Sequence, residues 1–107
     1  MVITFDDFKK LDIRIGKVLS AERVKGADKL IKLQIDLGTE KRQIVVGMAK
    51  FFEPDHFIGK ELPILTNLES KSFKGIKSQG MILATDVNGK PILLHPEKEV
   101  PAGSIVR

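Results

Sequence analysis

Residues 32–46 read KLQIDLGTEKRQIVV, and this stretch decides the fold class. Leu33, Ile35 and Leu37 alternate with polar neighbours, so one face of the segment is apolar and the other is polar. Gly38 begins a short polar turn, and residues 43–46 form a second apolar run. This order predicts a β-hairpin with Leu33, Ile35 and Leu37 in the core and Lys32 on the solvent face.

Three further segments carry strand patterns. Residues 12–18 alternate polar and apolar and extend to about Val24, and Gly16 within them predicts a bend or bulge. Residues 61–66 and 80–85 are short apolar runs of the same kind. Five short strands suit an OB-type barrel better than a sandwich, which usually has about seven strands. The predicted fold class is therefore all-β, with a five-stranded OB-fold barrel.

A short helix is predicted before the barrel, over residues 4–11. Thr4 can cap it, acidic residues occupy its first turn, and lysines occupy its last turn. Phe5, Phe8 and Leu11 share one face of this helix. We expect that face to cover one end of the core.

The remaining segments follow the hairpin or the barrel. Residues 49–54 stop at a proline and predict one helical turn that plugs the barrel. Residues 87–90 predict a hairpin-like turn. The C-terminal extension carries apolar residues at 91–94 and 104–106 that a five-stranded barrel does not need. They build a dimer interface or cap their own barrel, and the pattern alone leaves both possibilities open.

Length and composition predict one domain, residues 1–107, with 42% hydrophobic and 30% charged residues. No apolar run approaches the ~18 residues of a membrane helix, and the first residues lack a signal-peptide pattern. We therefore expect a cytoplasmic protein without a membrane partner. There is no cysteine, which excludes disulfides and thiol chemistry, and the net charge of +4 favours polyanionic partners.

Candidate catalytic groups are few. His56 and His95 lie beside prolines or acidic residues without a partner that would make either one a base. Neither histidine has the spacing of a zinc site, and the glycines form no phosphate-binding motif. Asp6, Asp7 and Asp12 are best explained by the dipole of the first helix. We expect no catalytic residue, no metal and no cofactor.

Residues 67–80, NLESKSFKGIKSQG, are the strongest functional candidate. Lys71, Lys74 and Lys77 flank Phe73 in a loop between two strands, so cations for phosphates adjoin an apolar ring for a base. Further groups for base or sugar contacts are the amides, hydroxyl and thioether of Asn67, Ser78, Gln79 and Met81. A second basic region comprises Lys25, Lys29, Lys32, Lys41 and Arg42. The plainer alternative is a solvated charged loop with Phe73 in the core, which would be commoner in an arbitrary protein.

Five motifs occur in the order seen in one family: residues 11–18, residues 27–30, residues 41–45 with Gly47, residues 67–68, and residues 74–81. The sequence resembles the tRNA-binding domain at the C-terminus of methionyl-tRNA synthetases. Similar domains occur as stand-alone structure-specific tRNA-binding proteins, in endothelial monocyte-activating polypeptide, and in CsaA-type export chaperones. The resemblance covers the chain from about Phe5 to Arg107.

The resemblance implies an OB barrel, a homodimer formed through segments that flank the barrel, and tRNA as the ligand. It points to Asn67, Lys74, Ser78 and Met81 as tRNA contacts, with Lys29 and Arg42 in support; Lys71 and Lys77 join them from the loop pattern. The implied function is a non-catalytic accessory domain or subunit of an aminoacyl-tRNA synthetase, the methionyl enzyme by resemblance, whose catalytic chain would be a partner.

Two alternatives accompany this interpretation. A CsaA-type peptide-binding chaperone would use Phe73 and Met81 to line a pocket for extended polypeptide, and a pure dimerisation element of a synthetase would have no RNA role.

The sequence departs from the family at Glu69, where many members have lysine, and at Lys74, where many have arginine. Residues 78–81, which usually differ in CsaA-type members, are intact and favour the synthetase branch.

Overall fold

The computed structural model describes residues 1–107 and consists almost entirely of antiparallel strands, which confirms the all-β class. Its elements are α1 (Phe5–Lys9), β1 (Ile13–Val24), β2 (Ala27–Asp36), β3 (Lys41–Val46), a 3-10 turn (Pro54–His56), β4 (Glu61–Leu65), β5 (Lys71–Phe73), β6 (Ile76–Ser78), β7 (Met81–Ile82), β8 (Ala84–Val87), β9 (Lys90–Leu93) and β10 (Ile105–Val106). The α-helix has five residues, and no helix of the structure could cross a bilayer.

The main sheet has the order β3-β2-β1-β4-β7, which is the strand order of an OB-type fold. β1 is long enough to pair with β4 through its first half and with β2 through its second half, and β10 also pairs with its start. Its pairing with β2 shifts register between Val18 and Ser20 and again between Arg23 and Val24. Such bulges bend and twist a strand, so they allow the sheet to curl around its core.

The predicted bulge does not lie at Gly16. This residue pairs with Leu62 in unbroken register. A Cβ atom at this position would collide with the side chain of Ile35 on the neighbouring strand β2. The glycine is therefore required by the close packing of core side chains from the adjacent strands.

The two edges of the sheet, β3 and β7, are joined by the segment that precedes β7. The amide of Gln79 donates to the carbonyl of Gln43 (2.8 Å), and the amide of Val45 donates to the Ser78 hydroxyl oxygen (3.0 Å). One main-chain hydrogen bond and hydrogen bonds to side chains thus connect β3 to the segment before β7.

The core is one cluster of twelve buried residues and includes the predicted Leu33, Ile35 and Leu37. The helical turn predicted over residues 49–54 is replaced by two shorter turns, although Ala49 belongs to the core and Phe52 packs against it. Residues 48–52 form only a turn, and Pro54, which lacks an N–H, begins the separate 3-10 turn. The buried aromatic residue that follows this turn is Phe57, which is fully covered.

The N-terminal helix begins as predicted, because Thr4 and Asp7 form a reciprocal capping box. The expectation that its apolar face covers the core is wrong. Phe5 is 73% exposed and Leu11 is 45% exposed, and no residue of α1 is buried. Phe8 is half-buried, so it is Phe5 and Leu11 that leave most of this apolar face without a partner inside the subunit.

The C-terminal half differs from the five-strand prediction. The predicted strand over residues 80–85 is split: β7 pairs with β4, whereas β8 leaves the sheet and pairs with β9. The β8–β9 turn at Asn88 and Gly89 is confirmed. In the tail, β10 pairs with β1, yet Ile92, Leu94, Ile105 and Val106 remain exposed.

Candidate nucleic-acid interface

The predicted functional loop is a regular hairpin of β5 and β6. Phe73 pairs with Ile76, which leaves Lys74 and Gly75 as a two-residue turn. Both turn residues have positive φ, 52° and 79°, as a type I′ turn requires. The turn chemistry therefore shapes this segment into a hairpin, and the description of it as a loop is wrong.

The hairpin presents three free cations. Lys71, Lys74 and Lys77 are all exposed, and none of them forms an ion pair. The ammonium of Lys71 lies 5.2 Å from the ring centroid of half-buried Phe73. Because no carboxylate neutralises these lysines, they are available for phosphate groups.

A groove of about 620 Å³ separates the hairpin from the β1–β2 turn. Lys29 lines it from β2, and Phe73 and Lys74 line it from the hairpin. Lys29 is exposed and unpaired, like the hairpin lysines. The structure thus brings a fourth free cation to the same groove as Lys74 and Phe73.

Lys25 belongs to the second basic region predicted from the sequence but is not among the predicted tRNA contacts. A second groove, of about 350 Å³, is lined by Lys25, Lys32 and Lys74. Lys32 is neutralised by Glu22, whose carboxylate is 2.7 Å from its ammonium, whereas Lys25 is free. The sequence feature that marks Lys25 is the glycine that follows it. Gly26 has a φ of 81° and lies in the β1–β2 turn, opposite the hairpin.

Asn67 and Ser78 use their hydrogen-bonding groups inside the protein. Asn67 accepts from the amide of Asp12 (2.9 Å) and donates to the carbonyl of Lys10 (2.6 Å), which ties the N-terminal segment to the end of β4. Ser78 is 3% exposed, and its hydroxyl donates to the carbonyl of Gly80 (3.1 Å) while it accepts from Val45. Both side chains therefore position the surrounding backbone.

Arg42 is similarly engaged. The Nη1 atom of its guanidinium donates to the carbonyl of Thr66 and to the carbonyl of Gln79 (3.3 Å). Its Nη2 atom donates to the Glu40 carboxylate (2.9 Å). Only 23% of its side chain is exposed. Arg42 holds β3 against the segment that leads into β7, so its charge is not free as that of Lys29 is.

Met81 lies apart from the hairpin groove. It is 44% exposed and lines a different groove with Met48 and Phe51. The predicted residues thus fall into three groups: free cations (Lys29, Lys71, Lys74 and Lys77), framework residues (Arg42, Asn67 and Ser78), and Met81 in the neighbouring groove.

Residues with perturbed pKa values lie outside the hairpin groove. The pKa of Asp12 is lowered chiefly because the Arg14 guanidinium donates to both carboxylate oxygens, and the pKa of Arg14 is raised by the same pair. The pKa of Asp7 is lowered chiefly by the backbone amide of Thr4 in the capping box. The pKa of His56 is lowered by desolvation and by nearby Lys60 and His95.

Comparison with known proteins gives matches over nearly the whole chain. The family model described as "Putative tRNA binding domain" matches residues 13–105. A methionine–tRNA ligase of Methanothrix thermoacetophila is 53% identical over 106 residues, which are 99% of this chain and 16% of the ligase. The chain therefore spans about a sixth of the length of that relative.

Two solved structures share the whole fold. The MetRS-related protein from Pyrococcus horikoshii has a TM-score of 0.96 at 38% identity and covers 100% of this chain and 99% of its own. The chaperone CsaA from Bacillus anthracis has a TM-score of 0.90 at 31% identity and covers 100% of both chains. From its sequence match and its fold, the chain belongs to the tRNA-binding domain family that also includes the corresponding domain of methionine–tRNA ligases.

Proposed function

We propose that this chain is a non-catalytic tRNA-binding module that works as a homodimeric accessory domain or subunit of an aminoacyl-tRNA synthetase, the methionyl enzyme. The observation that carries the proposal is a group of free lysines on the hairpin and opposite it. Lys29 and Lys74 line the hairpin groove, and Lys71 and Lys77 are exposed on the two hairpin strands. Lys71 lies over the ring of half-buried Phe73, and none of the four lysines forms an ion pair, so an RNA backbone can neutralise them.

The test is a measurement of tRNA affinity against salt for the wild type and for the triple variant Lys71→Gln, Lys74→Gln, Lys77→Gln. Each phosphate contact contributes about 0.7–0.9 to the slope of log affinity against log salt, so the triple variant should lose about 2 to 3 from the magnitude of that slope. Its affinity at low salt should fall accordingly.

A matched control removes the same charge elsewhere. Lys17, Lys60 and Lys98 line a polar groove of about 430 Å³ that shares no residue with the hairpin groove. The variant Lys17→Gln, Lys60→Gln, Lys98→Gln should therefore bind tRNA much better than the hairpin variant does. Equal losses in both variants would show a general attraction to the basic protein and no specific interface.

The dimeric part of the proposal is supported by a groove of about 500 Å³ near the C-terminus. Its walls include the apolar side chains of Leu94, Ile105 and Val106, which are 42%, 56% and 38% exposed. Contiguous apolar surface of this kind marks protein contact sites. A second copy of the chain is the partner proposed here, and a two-fold arrangement would present two hairpin grooves.

The CsaA-type alternative has one specific observation in its favour, the TM-score of 0.90 with a protein described as a chaperone. Peptide binding by apolar contacts would tolerate salt, whereas tRNA binding by lysines would not. Competition between labelled tRNA and an unfolded protein at low and high salt separates the two. Unchanged aminoacylation by a synthetase carrying the triple variant would instead indicate a pure dimerisation element.

A further inference from the structure

We propose that the groove between Phe51 and Met81 receives an unpaired base of the bound RNA, with Phe51 as the stacking surface. This inference rests on the proposed function and extends it. The free lysines on and opposite the hairpin hold the RNA backbone, and the groove of Phe51 and Met81 selects RNA that has an unstacked nucleotide.

The groove is open, and more than half of its lining residues are apolar, with Asp86 as its one charged residue. It encloses about 430 Å³ between the turn of residues 47–51 and the segment that joins β7 to the β8–β9 hairpin. Phe51 and Met81 are 46% and 44% exposed. Gly47 and Gly89 also line it, and neither has a neighbouring atom within 4 Å of where a Cβ would stand, so the space beside them is open.

The exposure of Phe51 has no explanation inside the subunit. Its neighbour Phe52 is half-buried and stacks on His56 (4.5 Å between centroids) and against Phe57, whereas Phe51 contacts no other aromatic ring. The backbone amides of both phenylalanines donate to the carbonyl of Met48, which fixes the turn. An exposed ring on a fixed turn loses little conformational freedom when a base stacks on it.

The groove is connected to the cationic surface. The amide of Ala49, between Met48 and Phe51 in the turn, donates to the carbonyl of Lys29 (3.1 Å). Lys29 lines the hairpin groove, so the turn that carries Phe51 is bonded to the strand that carries one of the free cations. The turn and the strand are thus neighbours in the fold, and the proposal is that RNA held by Lys29 reaches the groove of Phe51 and Met81.

A base fits these features better than a peptide segment. Every base offers a π-face to an aromatic ring, and the polarisable thioethers of Met48 and Met81 also make favourable contacts with aromatic rings. The groove itself contains no basic residue, so the phosphate that accompanies the base is assigned to Lys29 on the neighbouring strand. A polypeptide would gain the apolar contacts but would leave Lys29 without a partner.

The experiment compares two RNAs, a methionine tRNA transcript and a blunt RNA duplex without unpaired nucleotides, on the full chain. Phe51→Ala should weaken tRNA binding about tenfold through the loss of stacking. The salt slope should stay the same because no phosphate contact is removed. Phe51→Tyr keeps the ring and should retain affinity, and none of these variants should alter duplex binding.

Ile58→Ala is the matched control, because Ile58 is 47% exposed but does not line the groove. Unchanged tRNA affinity in Phe51→Ala, or equal loss for tRNA and duplex, would overturn the base-binding groove while leaving the lysine-dependent function intact. Loss of unfolded-protein binding without loss of tRNA binding would assign the groove to peptides. A wild type that fails to bind tRNA would overturn the groove and the proposed function together.

Discussion

His56 occupies a position in which protonation opposes folding. The residue is exposed as a whole, but one face of its ring is covered by Phe52, with an interplanar angle of 4°. Desolvation, followed by the positive charge of Lys60 and the proximity of His95, lowers its pKa below the ordinary 6.5. The folded protein therefore binds a proton at His56 less readily than the unfolded chain does.

The stability contributed by neutral His56 should be complete above about pH 6.5 and should decline as the pH falls towards the lowered pKa. His56→Phe keeps the stack on Phe52 and removes the titration. We expect the melting temperature of the wild type to drop more between pH 7.5 and pH 5.5 than that of this variant. Parallel pH profiles for the two proteins would contradict the expectation.

Asp7 and Asp12 do not interfere with this comparison. Their pKa values are lowered from the ordinary 3.8, so they titrate below the pH range of the measurement.

At the scale of single residues, the helix cap at Thr4 could be predicted because its hydrogen bonds are local. The framework role of Asn67 could not, because its partners Lys10 and Asp12 lie 57 and 55 residues away.

At the scale of elements, the chain contains two hairpins with the same turn and different turn residues. Lys74–Gly75 joins β5 to β6, and Asn88–Gly89 joins β8 to β9, with φ values of 52° and 53° at the first position. Asparagine adopts this left-handed conformation readily, whereas lysine does so at a cost. The cost at Lys74 is consistent with a residue selected for its charge.

Lys74→Asn should therefore raise the free energy of unfolding by about 1 kcal/mol, as measured by urea denaturation. The same variant should bind tRNA more weakly, with a salt slope smaller by about 0.7–0.9. Asn88→Lys is the reciprocal control for stability and should lower the free energy of unfolding by a similar amount. A destabilised Lys74→Asn would show that the lysine is not strained at the turn.

The sequence predicted the elements that depend on local patterns. The β2–β3 hairpin followed from the alternation of Leu33, Ile35 and Leu37, and the β8–β9 turn followed from Asn88 and Gly89. The β5–β6 hairpin was missed because Lys74 is an unusual first residue for its turn. The 3-10 turn and the burial of Phe57 were missed because they depend on the assembled sheet. For the candidate site, the lysines could be proposed from the sequence. Which of them form ion pairs with carboxylates could not, because that depends on the folded structure.

At the scale of the whole molecule, the subunit measures 41 × 32 × 27 Å and carries one hairpin groove. Its unpartnered apolar residues are concentrated on the segments that flank the barrel. Phe5 and Leu11 are exposed at the N-terminal end, and β10 places exposed Ile105 opposite Arg14, near the start of β1. Association of these segments in the proposed two-fold dimer would cover them.

Ile105→Asp tests whether two grooves act on one tRNA. The side chain is 56% exposed, so the subunit should still fold, whereas a carboxylate in an apolar contact should disrupt the proposed dimer. Sedimentation should then show a monomer, while Ile58→Asp, at a comparable exposed position, should remain dimeric. If both grooves hold the same tRNA, the monomer should bind about a hundredfold more weakly and with about half the salt slope, because one set of phosphate contacts is lost. A monomer with unchanged affinity and slope would mean that each groove binds its own tRNA, and a dimeric Ile105→Asp would place the subunit contact elsewhere.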